Sequence, residues 1–282
     1  MNIVEILNSF FILPAIKAGI REQVWQTPIH DNLKPIREIW YGLDLLDHEG
    51  KLSEKGQQLY DIHPMIDYFM SLWDDYKFYS PHETYKISDE QYDLLREGLE
   101  LYSRYNLSNC FQYCGLTGKQ INVLDYGGGN GGLLIDFIKY NPSSKGILVD
   151  RKKANNEEFG EEIVSHAIDF EINPLWHTQY EDRFDMIILS EVLHCKNKKG
   201  RQYLIDSSHC MLKPGGILFI IEVKTNPFFD WRMKMYTEGG KSLEPDEIKD
   251  QMDSSSWKEV KLVPYGDNHY INIYKTKGEI SE

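Results

Sequence analysis

The stretch Val123–Gly132, VLDYGGGNGG, decides how the chain is read. Ile121–Asp125 is short, apolar and rich in branched residues, which predicts a buried strand. Gly127–Gly132 is too glycine-rich to be anything but a turn, and Leu133–Tyr140 has the composition of a helix. A strand running through a glycine turn into a helix sets several backbone N–H groups, and a helix N-terminus, at the strand's carboxyl end. Side chains at the turn would block close approach of a ligand, so glycine is required there.

Outward from this point the pattern repeats. Gly146–Asp150, Ile163–Asp169, Phe184–Ser190 and Ile217–Val223 read as further strands, with a helix after the fourth that reaches Leu212. Lys213–Gly216 (KPGG) reads as a tight turn, Pro and Gly supplying the fixed and the positive φ. Val260 and Leu262 are expected to face Ile271 and Ile273 across a turn containing Gly266 and Asp267, as a terminal hairpin. Strands alternating with helices imply a parallel sheet covered on both faces.

Residues 1–120 are organised differently. Residues 3–18 place Ile3, Ile6, Leu7, Phe10, Leu13 and Ile16 at helical spacing, with Gly19 as the expected stop. Leu33, Ile36, Ile39, Trp40 and Leu43 fit a second amphipathic helix. A polar turn, Asp47–Lys51, precedes Ser53, a residue suited to cap a short helix carrying Leu59 and Tyr60. Helices followed by a short turn-linked wing suggest a small winged-helix unit. An aromatic-rich segment follows at 61–85, residues 88–114 look helical again, and Gly115–Gln120 reads as a loop. The expected domains are therefore 1–85, a helical connector at 86–115, and an α/β domain at 116–282.

Composition bounds the function. The 282 residues are 41% hydrophobic and 27% charged, which supports a proper core. With 31 Lys and Arg against 44 Asp and Glu, the net charge is −13, which disfavours a nucleic-acid backbone or an anionic membrane as the main partner. The four cysteines include no C-x-x-C pair, so a structural zinc site is not expected; reduced thiols and a cytoplasmic location are. Glu5 within the first apolar stretch, and the lack of a basic start, argue against a signal peptide.

Two ligand templates fit the glycine turn. Gly127, Gly129 and Gly132 satisfy G-x-G-x-x-G, the dinucleotide pattern. Asp125, Gly127, Gly129 and Gly131 satisfy the D-x-G-x-G-x-G of S-adenosylmethionine-dependent methyltransferases. In either, Asp150 at the end of the next strand can accept two ribose hydroxyls, and Asp169 with Phe170 suits an adenine. Ser190, closing the fourth strand, joins the cofactor candidates.

The remainder of the domain separates the templates. AIDFEINP (167–174), FDMIILSEVLH (184–194), LKPGGILFIIE (212–222) and TEGGKSLEPDEI (237–248), in that order, resemble the O-methyltransferase family typified by plant caffeate and bacterial polyketide enzymes. LLDHEGKLSEKGQQL (45–59) resembles that family's wing. The resemblance implies a Rossmann-like, seven-stranded sheet whose last strand is antiparallel, an N-terminal winged-helix dimerisation domain, and hence a homodimer. It implies S-adenosylmethionine as methyl donor, S-adenosylhomocysteine as product, a small-molecule acceptor of the kind met in secondary metabolism, and no metal. It also assigns roles: His194 as the general base that deprotonates an acceptor hydroxyl, and Glu222 as the residue that orients it. A phenol of pKa about 10 needs such a base at neutral pH. Two positions depart from the family: its Asp-Trp after the histidine is Cys195-Lys196 here, and its glutamate after G-G-K is Ser242. Tyr76, Phe78, Tyr79, Trp231, Met235 and His269 are candidates for the acceptor pocket, with Trp231 and His269 foremost. Methylation at nitrogen or carbon, another reaction on the same fold, a winged-helix sensor that binds DNA, and a nicotinamide enzyme stand as alternatives.

Overall fold

A computed structural model describes residues 3–26, 29–72, 86–116, 118–154, 156–170, 172–237, 239–266 and 268–277. The linker aromatics Tyr76, Phe78 and Tyr79, and the hairpin residue Asp267, lie outside the described residues. The chain divides into two compact units, one of Met1–Lys77 with Ser88–Tyr105, the other of Phe78–Ile87 with Asn106–Glu282.

The first unit is helical: α1 (Ile3–Arg21), α2 (Lys34–Gly42), α3 (Glu54–Asp61), α4 (His63–Ser71) and α5 (Asp89–Asn106). Its core gathers Ile16, Val24, Trp40, Leu45, Leu46 and Ile66. Between α2 and α3 a short turn is pinned by Asp47, whose Oδ1 accepts from Glu49 and Lys51 N–H, and by an antiparallel bridge between Leu46 and Leu52. Ser53 caps α3 as expected, accepting from Gly56 N–H at 3.0 Å. Gly19 does not stop α1, which continues to Arg21. It serves instead as the seat for Trp40: a Cβ on Gly19 would lie 2.1 Å from the Trp40 indole nitrogen. That nitrogen donates to the Ala15 carbonyl at 3.3 Å, one turn earlier on the same helix.

The second unit carries one seven-stranded sheet in the order β3-β2-β1-β4-β5-β7-β6. Its strands are β1 (Asn122–Tyr126), β2 (Lys145–Asp150), β3 (Ile163–Ala167), β4 (Phe184–Ser190), β5 (Leu212–Val223), β6 (Trp257–Tyr265) and β7 (His269–Thr276). β1 to β5 are parallel, and β7 runs antiparallel to β5 and β6, giving the expected antiparallel last strand. Helix α6 (Gly132–Tyr140) follows β1, α7 (Lys198–Met211) follows β4, and α8 (Pro227–Tyr236) and α9 (Pro245–Lys249) lie between β5 and β6. Alternation along the strands sends Leu124, Leu218 and Ile220 to one apolar layer and Val123, Phe219 and Ile221 to the other. This burial on both faces explains the near-continuous apolar runs of β4 and β5.

Three sequence expectations need correction. β3 ends at Ala167, two residues short of Asp169, where Ile168 N–H still reaches the Asp150 carbonyl. The expected turn at Lys213–Gly216 is a bulge inside β5: Phe184 stands opposite Leu212 and Met186 opposite Ile217. Gly215 supplies its positive φ of 77°. In the hairpin, the residues opposite Ile271 and Ile273 are Val263 and Lys261, a register set at the turn by the pairing of Tyr265 with His269; the register shifts only beyond these pairs, at Val260, and Val260 and Leu262 are both exposed.

The seat at Gly19 generates a prediction. Gly19→Ala should lower the unfolding free energy by about 1–3 kcal/mol, since the indole cannot yield without losing its hydrogen bond. Denaturant melts of the purified chain measure this, and an unchanged midpoint would refute the close approach.

Candidate functional site

The carboxyl ends of β1, β2, β4 and β5 bring most of the sequence candidates to one edge of the sheet. Gly127 leaves β1 with φ of 82°, and Gly129 and Gly131 follow at 59° and 83°. These left-handed conformations curl the backbone into a cradle, and Gly131 then caps α6. Gly127 N–H is held by the Val149 carbonyl at 2.7 Å. A Cβ at Gly129 would meet nothing within 4 Å, so the cradle is open at that residue. At Gly128 a Cβ would overlap the Asp125 carboxylate, which lies directly beneath the turn.

Asp150, at the end of β2, is buried and accepts from Gly129 N–H at 3.0 Å. Asp125 is fully withdrawn from solvent, and its Oδ1 has no hydrogen-bond partner. Burial, with the neighbouring Asp150 charge second, pushes the Asp125 carboxyl up to about 7. The cradle therefore presents two acidic groups to its own interior, one of them with an unsatisfied oxygen. A cationic or hydrogen-bond-donating ligand would relieve both conditions. Asp169 lies in the loop after β3, where its Oδ1 accepts from Ile172 N–H at 3.3 Å. Phe170 packs its ring edge-to-face on Tyr126, centroids 4.5 Å apart, and thereby anchors that loop to the core. Ser190 ends β4 half-buried, opposite Ile221.

A second cluster follows β4. Glu222, fully buried on β5, accepts from Leu193 N–H at 2.8 Å and His194 N–H at 3.3 Å through Oε1. Its Oε2 meets His194 Nδ1 at 2.8 Å. His194 is 5% exposed, and Phe229 of α8 stands edge-on to its ring at 4.8 Å. The loop after α8 clasps the same residue from behind, with Lys241 N–H donating to the His194 carbonyl at 3.0 Å. A Cβ on Gly240 would come within 2.6 Å of that carbonyl, which explains a glycine there. Burial alone would lower the His194 pKa, but the adjoining Cys195 and Glu222 outweigh it and hold the imidazole well above its ordinary value. In return, His194 draws the Cys195 thiol below its usual range in spite of its burial. Ser242 is occupied with Asp230, whose Oδ1 accepts from its N–H and its hydroxyl, both at 2.6 Å.

His269 opens β7 and meets Glu191 through Nε2 at 2.7 Å. Trp231 lies half-buried on α8, and Met235, four residues on, is fully buried. Sequence reasoning missed Glu191 and Val192. Glu191 adopts φ of 55°, which a residue type with a long side chain does not advertise. Val192 abuts the cradle, since a Cβ on Gly127 would lie 2.6 Å from its Cγ2. Among the described residues no group of three or more His, Cys, Asp or Glu side chains is arranged to hold a metal ion. No helix among them is long and apolar enough to cross a membrane.

A family model described as "Methyltransferase domain" matches residues 88–261. No curated protein matches the chain. Solved structures do. An O-methyltransferase family protein from Burkholderia thailandensis superposes with a TM-score of 0.73 at 14% identity, covering 99% of both chains. The pyocyanin biosynthetic protein PhzM superposes at 0.74 with 13% identity and 98% of each chain. Human N-acetylserotonin methyltransferase, solved with SAM, superposes at 0.65 with 17% identity, covering 99% of this chain and 98% of that one. At these identities the likeness carries the fold.

Asp125 generates a titration prediction. The folded carboxyl keeps its proton up to about 7, whereas an unperturbed aspartate loses it at 3.8. Between those values the folded state binds more protons, so stability falls as pH rises. Asp125→Asn should remove that fall, leaving the variant more stable than wild type at pH 8 by on the order of a few kcal/mol and indistinguishable at pH 3. Thermal melts across the range check it; parallel curves for the two proteins would refute the burial cost.

Proposed function

The chain belongs to the methyltransferase domain family, and on that premise we propose that it moves a methyl group from S-adenosylmethionine to a hydroxyl of a small molecule, with His194 as general base. The observation that carries this reading is the buried contact between His194 Nδ1 and Glu222 Oε2 at 2.8 Å, two residues along the chain from the side chain that abuts the glycine cradle.

The residues present suit the cofactor. When bound, S-adenosylmethionine supplies an electrophilic methyl group on a positively charged sulfur. Gly127 and Gly129 would give the backbone approach, Asp125 its unpartnered oxygen, and Asp150 its carboxylate to the ribose. Asp169, Phe170 and Ser190 would complete the nucleoside end. Two buried acids favour a cationic ligand over the dianionic pyrophosphate of a dinucleotide, which is the reason for preferring this cofactor to a nicotinamide one.

The chemistry asked of the protein itself is modest. Glu222 fixes the imidazole through Nδ1, so that Nε2 would take the hydroxyl proton. A phenol in place is then a competent nucleophile, and its alignment contributes more than the base does. Because Cys195 and Glu222 hold the imidazole pKa above its ordinary value, the basic form grows as pH rises. Trp231 and other late-domain side chains would face the acceptor. Residues 1–85 are proposed as a dimerisation unit of winged-helix type, with 86–115 as connector, in a cytoplasmic enzyme of secondary metabolism.

Incubation with methyl-labelled S-adenosylmethionine and a panel of phenols tests the reaction. Label recovered on nitrogen or carbon would sink the hydroxyl assignment. His194→Ala should lower kcat by about 10²–10⁴-fold while calorimetric affinity for S-adenosylhomocysteine stays unchanged. For wild type, kcat/KM should climb with pH through the neutral and alkaline range. Cys195→Ala should move that limb to lower pH, since the neighbour that does most to favour the charged imidazole has been removed. A limb unmoved in that variant would argue against His194 as the titrating group.

A further inference from the structure

We propose that Glu191 and His269 form a positioning pair that sets the floor of the cofactor cradle. This rests on the methyltransferase reading above. Glu191 is the first residue beyond β4 and takes a left-handed φ of 55°. Such a conformation is unfavourable for a residue with a Cβ and persists only where its surroundings impose it. Two contacts impose it here. Glu191 N–H donates to the Ile221 carbonyl at 2.9 Å, and the carboxylate meets His269 Nε2 at 2.7 Å. The two side chains are 16% and 7% exposed, so the contact is shielded from water.

Sheet geometry gives the pair its use. On β5 and β7, Glu222 stands opposite Tyr270, and Val223 opposite His269. Alternation therefore places Glu222 on the face with Leu218 and Ile220, and His269 on the face with Ile271 and Ile273. The segment Glu191–His194 is clamped from both faces: by His269 through a side chain, and by Glu222 through the N–H groups of Leu193 and His194. Val192 lies between the clamps, with its methyl groups against Gly127. The left-handed turn at Glu191 is what aims Val192 at the cradle. Loosening one clamp frees Val192 to withdraw, and the cradle loses its support.

Glu191→Gly separates positioning from bulk stability, because glycine relieves the backbone strain while deleting the carboxylate. The melting temperature should hold or rise, while affinity for S-adenosylhomocysteine, measured by calorimetry, should fall about tenfold, the scale of one lost charge-assisted hydrogen bond. His269→Ala should weaken binding similarly. His269→Gln, whose amide nitrogen can stand in for Nε2, should restore most of it. Binding by Glu191→Gly equal to wild type, or His269→Gln no better than His269→Ala, overturns the inference and leaves the cofactor reading intact. Wild-type protein giving no heat with S-adenosylhomocysteine overturns both.

Discussion

The Glu222 carboxylate organises the functional edge of the sheet. It is fully buried, and it accepts from two consecutive backbone N–H groups and one imidazole nitrogen. A buried carboxylate without such partners would be untenable, and the loop after β4 would have no reason to bend over the strand end. With them, the loop is tied to β5, His194 is held at a single orientation, and the next turn of chain starts from a defined point. Gly240 and Lys241 close the same knot from the other side, through the His194 carbonyl. Removing any one partner would leave the carboxylate under-satisfied, so these contacts stand or fall together.

The glycine cradle shows the opposite economy. One of its acids is under-satisfied: Asp125 carries an orphan oxygen and a pKa pushed up to about 7. Folding tolerates this because the surrounding layers, from Leu133 and Leu134 of α6 to Leu148 of β2, are densely apolar. Stability supplied by the sheet is thus set against a local electrostatic cost at the one place where a ligand would remove it. The two clusters differ in this sense: the carboxylate at Glu222 has its partners within the chain, whereas Asp125 keeps an oxygen without one.

Much of this was legible in the sequence. The strand–turn–helix at Val123–Tyr140 and the boundaries of β4 follow from apolar patterning and glycine placement, because these signals are local. The His194–Glu222 contact came from a family resemblance between segments far apart in the chain, and the geometry joins them. What was hidden depends on long-range packing. Gly19 has the look of a helix terminator, and only the indole resting on it explains why the helix continues. Lys-Pro-Gly-Gly is turn chemistry anywhere else, yet here the neighbouring strand absorbs it as a bulge. The hairpin register is misread by one residue because the closing pair at the turn, Tyr265 with His269, sets it, and the irregularity at Val260 lies beyond the misread pairs. Glu191 is the hardest case, since its backbone conformation contradicts its residue type.

That same irregularity at Val260 has a consequence for the outer rim of the sheet. β6 is a terminal strand, with no strand paired along its outer side among the described residues, and such a rim is a template for adventitious pairing between molecules. The bulge breaks its flatness, Lys258 and Lys261 stud it with positive charge, and Pro264 withholds an amide proton near its end. An incoming strand would find neither a straight track nor a full set of donors. The chain thus guards this border against fibrous self-association with a bulge, two lysines and a proline on one strand.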